Sequence, residues 1–149
     1  MLNRSVPTDA PIVHLHYRDV GDAIRWLTAV LGFKEHYRYG DFDKPQGAQL
    51  LFGKSVFMLA RARDGKPSPA EVGGSTGAVT LFVEDLEARL QKARQAGFKV
   101  REEINEPIYG ERQFVVEDPE GHVWMFSEHV KDVEPTEWGA ILADSNPKV

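Results

Sequence analysis

The chain repeats itself. Val13-His14-Leu15-His16-Tyr17-Arg18-Asp19 returns 66 residues later as Val79-Thr80-Leu81-Phe82-Val83-Glu84-Asp85, with the alternation of aliphatic positions and the closing aspartate preserved. A repeat of this length means two copies of one supersecondary unit, and it constrains the fold more than any single motif does. Period-two alternation makes both segments strands. Behind each aspartate the spacing turns helical, at Ile24, Leu27 and Leu31 in the first copy and at Leu86, Leu90, Ala93 and Gly97 in the second. Asp85 suits an N-cap. Each helix stops at the same signal, Leu31-Gly32-Phe33 or Ala96-Gly97-Phe98, where glycine takes the left-handed conformation that closes a helix.

Three further strand candidates follow each stop, at about residues 35–39, 48–52 and 55–61, then 99–103, 113–117 and 123–128. Each half therefore reads βαβββ. Asp118-Pro119-Glu120-Gly121 has the composition of a type I turn, and Phe52-Gly53-Lys54-Ser55 fills the same slot in the first copy. The expected organisation is an arm at 1–10, a first module at 11–63, a linker at 64–76, a second module at 77–130 and a tail at 131–149 that docks through Trp138. The fold class is α+β, with two four-stranded mixed sheets curled into a concave cup that offers a ligand its one large free surface.

Composition bears on what such a cup can do. At 149 residues and 42% hydrophobic, the chain can bury about 70% of its unfolded surface without staples, and it has no cysteine with which to make any. Zinc ribbons and thiol chemistry are excluded, and a cytoplasmic location is expected. The net charge of −5 comes without a basic cluster, which argues against nucleic acid as a partner. The N-terminus has no apolar run and no stretch suits a membrane span, so neither a signal peptide nor a membrane is expected.

The run Tyr17-Arg18-Asp19-Val20-Gly21-Asp22-Ala23-Ile24 with Trp26 and Leu31-Gly32-Phe33, then Tyr109-Gly110-Glu111-Arg112-Gln113-Phe114, and Asp118-Pro119-Glu120-Gly121-His122, resembles the vicinal oxygen chelate superfamily. Its members include glyoxalase I, extradiol dioxygenases and bleomycin resistance proteins, and the likeness covers about residues 11–130. The resemblance implies a divalent metal held by His and Glu at four positions on the first and last strand of each module. Aligned here, those positions are Ile12, Met58, Ala78 and Met125. None is an imidazole or carboxylate, and a slip of one residue nominates none either, so no metal cofactor is expected. The resemblance also implies a homodimer with cups completed near the subunit interface.

Candidate ligand-binding residues follow from parity. His14 and His16 share the face of Ile12, and Thr80 and Phe82 share the face of Ala78. The histidines suit hydrogen bonding to a ligand or acid–base work; strand pairing or a dimer seam would also account for them. Met58 and Met125 occupy equivalent places and are expected to face one another as an adaptable floor, with ordinary core filling as the plainer role. Phe82 suits stacking on a planar ligand. Tyr109 and Arg112 stand where related proteins carry an aromatic and an arginine at the cup mouth, and Arg112 either clamps an anion or fixes a turn. Trp26, Trp124 and Phe126 belong to the helix-facing core, and Glu128 points outward, away from Met125.

Two functions are open at this point. One is a metal-free binding protein that sequesters a small planar or amphipathic molecule, as in drug resistance. The other is a metal-dependent lyase, isomerase or dioxygenase with a rearranged site built on His14 and His16.

Overall fold

The structure, a computed structural model, describes residues 6–143. In chain order the elements are β1 (Ile12–Tyr17), α1 (Val20–Ala29), β2 (Lys34–Gly40), β3 (Pro45–Phe52) and β4 (Ser55–Arg61). A short α2 (Pro69–Val72) follows in the linker, then β5 (Ala78–Phe82), α3 (Leu86–Gln95), β6 (Lys99–Asn105), β7 (Glu111–Glu117) and β8 (Val123–His129). A 3₁₀ turn at Pro135–Trp138 closes the described chain. The sheets run β1-β4-β3-β2 and β5-β8-β7-β6, one plan used twice. In each, the first strand lies parallel to the last and the other pairs are antiparallel. The chain is thus two tandem βαβββ modules with mixed sheets, a glyoxalase-like α+β fold.

Local chemistry explains the helices. Asp19 caps α1, its carboxylate accepting the Asp22 N–H at 2.9 Å. Gly32 and Gly97 follow the helix ends at φ of +76° and +81°, a conformation a side chain would strain. Asp85 departs from expectation: it occupies the N-cap position without capping, because its carboxylate accepts from Arg89 Nη2 at 3.0 Å. That arginine also donates to the Val30 carbonyl at 3.1 Å, tying α3 to the end of α1.

Alternation then decides which side of each sheet is buried. Tyr17, Ala48, Leu50, Phe57 and Leu59 on the first sheet, and Leu81, Phe114, Val116, Trp124 and Phe126 on the second, lie at or below 4% exposure in one continuous core with α1 and α3. Trp124 and Phe126 sit there as expected, and Trp26 packs on the edge of the core, its ring edge-on to Phe98 at 6.4 Å. Phe33 fills the middle, 4.7 Å from Phe57 and 5.7 Å from Trp124, and those last two rings are 6.0 Å apart. Phe57 is on β4 and Trp124 on β8, strands of different sheets, so the helix-facing sides of the two sheets must be turned toward each other. Their other faces point away from the shared core. Met58 and Met125 lie on those outer faces and, within one chain, do not face one another.

The two halves are pinned by the turn before β8. Asp118 Oδ2 accepts from Tyr17 Oη at 2.7 Å and from Trp124 Nε1 at 3.0 Å, while Oδ1 accepts the Glu120 and His122 N–H groups at 3.0 and 3.1 Å. Glu120 reaches back to the end of β1, accepting the Arg18 and Asp19 N–H groups at 2.6 and 3.0 Å. Both carboxylates are buried, and burial pushes Asp118 above the usual carboxylate range and, with Asp118 beside it, raises the Tyr17 phenol well above its ordinary value.

Candidate functional site

The outer face of the first sheet carries Ile12, His14 and His16 on β1, paired in register with Val56, Met58 and Ala60 on β4. Beside Met58 on β3 stands Gln49, 1% exposed, which the apolar run Ala48-Gln49-Leu50-Leu51 conceals in the sequence. Gln49 Nε2 donates to Tyr37 Oη at 3.3 Å and to Met58 Sδ at 3.6 Å, and its Oε1 lies 2.5 Å from His36 Nδ1. A register shift in β2 between Glu35 and Tyr37 leaves His36 without a strand partner and lets both rings approach the same side. The result is a thioether held in a polar collar. Further along, the Tyr39 ring lies against Gly47, where a Cβ would collide with it, so the glycine is what admits the ring.

The outer face of the second sheet is more apolar. Thr80 pairs with Met125, and Val115 flanks Met125 from the other side. Phe82, 59% exposed, pairs with the buried Ser127. Tyr109, before β7, donates from Oη to Gln113 Oε1 at 2.7 Å. Trp138 packs edge-on to Tyr109 at 6.4 Å, so the tail docks through the tryptophan that the sequence nominated. The expectation for residues 144–149 lies outside the described residues.

Arg112 is elsewhere. It shares the parity of Phe114 and Val116, pairs with Glu128 in register, and therefore projects to the helix side. There it meets Glu128 at 2.9 Å, Glu106 at 3.7 Å and Glu87 of α3. Three carboxylates take up the guanidinium, which corrects its placement at the cup mouth: it braces α3 against β7 and β8. Glu128 points outward from the cup, as parity requires.

His14 and His16 reach the outer face and also border the seam between the modules, where His122 completes a trio around one cavity. His122 Nε2 sits 2.9 Å from the His16 carbonyl, and its ring lies 4.5 Å from that of Tyr17. Burial first, and then Lys66, Arg63, His14 and His122, hold the His16 imidazole below its ordinary pKa. Among the described residues no three His, Asp or Glu side chains gather into a metal-binding group. Ile12, Met58, Ala78 and Met125, the positions that the resemblance implies for a divalent ion, are two aliphatic side chains and two thioethers that supply no imidazole or carboxylate, so these residues do not fit such an ion. No helix among the described residues is long and apolar enough to cross a membrane.

The chain is similar to proteins of known fold across most of its length. TioX from Micromonospora sp. ML1 is 29% identical, with a TM-score of 0.64 over 80% of this chain and 97% of TioX. The fosfomycin resistance protein FosX from Mesorhizobium loti is 15% identical, with a TM-score of 0.64 over 91% and 100% of the two chains. FosX from Listeria monocytogenes, in complex with Mn(II) and sulfate, is 12% identical, with a TM-score of 0.65 over 89% and 99%. Among curated sequences, the uncharacterized protein Rv0887c of Mycobacterium tuberculosis is 33% identical over 76 residues, 51% of this chain and 45% of that protein. The chain spans about half the length of the curated relatives it matches. Residues 11–126 match the model of the Glyoxalase/Bleomycin resistance protein/Dioxygenase superfamily, and the chain belongs to that superfamily.

Proposed function

We propose that this chain binds a small planar or amphipathic molecule on the outer faces of its sheets, without the divalent ion that the fold holds in FosX from Listeria monocytogenes. The observation that carries this reading is the residue set Ile12, Met58, Ala78 and Met125, which offers a ligand apolar and polarizable surface where metal donors would stand. Specificity comes from few polar groups: the Gln49–Tyr37 collar around Met58, Thr80 beside Met125, and Tyr109 at the rim. Phe82 supplies a ring for stacking.

A single open face covers only one side of a flat ligand. The outer faces diverge within one chain, so a two-sided cleft requires a second copy, the first module of one protomer set against the second module of its partner. Such a homodimer carries two equivalent sites. This is sequestration rather than turnover, and drug resistance is the role such a site serves best.

Calorimetric titration with a panel of planar aromatic and amphipathic compounds tests the reading, run with and without a chelator and alongside sedimentation of the protein. The expected result is binding indifferent to chelation, two sites per dimer, and loss of binding in Met58→Glu and Met125→Glu. Binding abolished by the chelator, or an ion bound at full occupancy between the sheets, overturns it.

A further inference from the structure

Where β1 of the first module meets the linker and the β5–β8 edge of the second lies a cavity of about 380 Å³ that includes none of Met58, Phe82 or Met125. Its imidazoles are His14, His16 and His122, and its apolar walls include Pro67, Val72 and Val123. Among the described residues no aspartate or glutamate lines it, although the chain as a whole carries a net charge of −5. Lys66 and Arg63, from the segment after β4, stand close enough to make protonation of His16 harder. The acid that acts on His122 is Asp118, whose two oxygens already accept four hydrogen bonds.

From this arrangement we infer that the seam cavity is a binding site for a small organic monoanion, a carboxylate attached to an apolar ring or short chain. The polar groups decide the sign of the ligand. Five basic side chains converge on or beside a space that no described carboxylate lines, and the two that carry charge at neutral pH, Arg63 and Lys66, disfavour a cation. The same groups decide its charge number: no guanidinium fork lines the space to hold a phosphate dianion, and the imidazole N–H groups, with the Ser75 and Thr76 hydroxyls beside them, suit two carboxylate oxygens. The proline and valine walls take the apolar body. Neither His14 nor His16 makes a side-chain hydrogen bond among the described residues, so each imidazole is available as a donor.

The chemistry sets a pH dependence. His16 without a ligand is held neutral by its surroundings. A bound carboxylate reverses that field, so binding takes up a proton at His16 and tightens as pH falls below neutral, until the carboxylate itself is protonated near pH ~4. Groups facing His16 are His14 on its own strand, Lys66 and Arg63 beyond β4, and His122 before β8, all basic. The site shares His14, His16 and Ala78 with the edges of the outer faces, but its cavity lies at the seam and it does not rest on the preceding reading.

The test is an amide-resolved NMR titration of the full chain with benzoate and 1-naphthoate, set against benzamide and benzylamine. Saturable shifts are expected at residues 72–79 and 122–124 with the two carboxylates, about tenfold weaker binding of benzamide, and none of benzylamine. His16→Ala weakens carboxylate binding about tenfold. Val72→Glu, at a position 63% exposed and therefore tolerant of the change, sets a negative charge beside the cavity and removes binding. Phe82→Ser, at the far end of β5 from Ala78 and outside the cavity lining, leaves these shifts in place, which separates this site from the outer face of the second sheet. Benzylamine binding as tightly as benzoate overturns the inference, as do shifts confined to the surroundings of Met58 and Met125, or an affinity unchanged by Val72→Glu.

Discussion

Replacing Asp118 with alanine tests whether the turn before β8 holds the two modules together. The carboxylate is 3% exposed and accepts four hydrogen bonds, two from backbone N–H groups of its own turn and two from Tyr17 Oη and Trp124 Nε1. Tyr17 is 0% exposed and Trp124 1%, so their donors cannot turn to water once the acceptor is gone. Two stranded buried donors cost ~1–3 kcal/mol each. Part of that is offset, because the burial that pushes Asp118 above the ordinary carboxylate range also costs its charged form solvation, a cost the alanine does not carry. The net loss is ~3 kcal/mol, or ~6–12 °C in Tm for a domain of this size. Tyr17→Phe removes one donor and leaves the carboxylate in place, so it should cost ~1 kcal/mol. Urea unfolding followed by tryptophan fluorescence and far-ultraviolet circular dichroism measures both variants and checks that the transitions coincide. The sign with pH is also determined. An acid whose folded pKa lies above its unfolded value binds the proton more tightly when folded, so its contribution is greatest below the unfolded value and declines as pH rises through the folded one. The loss in Asp118→Ala should therefore grow on acidification from pH ~7 toward ~4. A loss under ~1 kcal/mol refutes the claim that this carboxylate locks the modules, and one that shrinks on acidification refutes the upward direction of its pKa.

Imidazole titration by proton NMR should find two histidines displaced in opposite directions: His16 below its ordinary value through burial, and His129 above it through hydrogen bonds to Glu111 and Asp132. The stability that His129 adds is present below its unfolded pKa of about 6.5 and is lost as pH rises through the higher folded value; a His129 midpoint at or below that figure contradicts the bridge. Arg112→Gln should change stability little, because two of its three carboxylate partners are largely solvated, and should leave ligand affinity on the sheet faces unchanged in calorimetry. Gly47→Ala should displace the half-exposed Tyr39 ring at a stability cost under ~1 kcal/mol while altering binding on the first sheet; equal ligand affinity would show that Tyr39 takes no part in recognition.

The arrangement of elements was legible in the sequence because its signals are local and doubled: two alternating strands, two helical stripes and two glycine stops, each within reach of its neighbours along the chain. Parity alone also placed Trp124, Phe126 and Glu128, and it already contained the correct side for Arg112, which is two residues from Phe114 and four from Val116. There the resemblance to relatives outweighed a physical signal that pointed the other way. Gln49 was hidden for a different reason: its role depends on the register shift at His36, which no period in the sequence announces. Asp118 and Glu120 were legible as a turn but not as a lock, since their partners Tyr17, Arg18 and Asp19 lie more than 100 residues earlier. The relation between the sheets is the deepest of these limits. Alternation states which side of a strand is apolar, yet both sheets have an apolar side, and nothing periodic says whether the two turn those sides together or apart. Phe33 decides it, because a ring that touches both Phe57 and Trp124 must stand between the sheets. The outer face of each module consequently points away from the shared core, and under the proposed function a two-sided cleft takes its complement from a second copy of the chain.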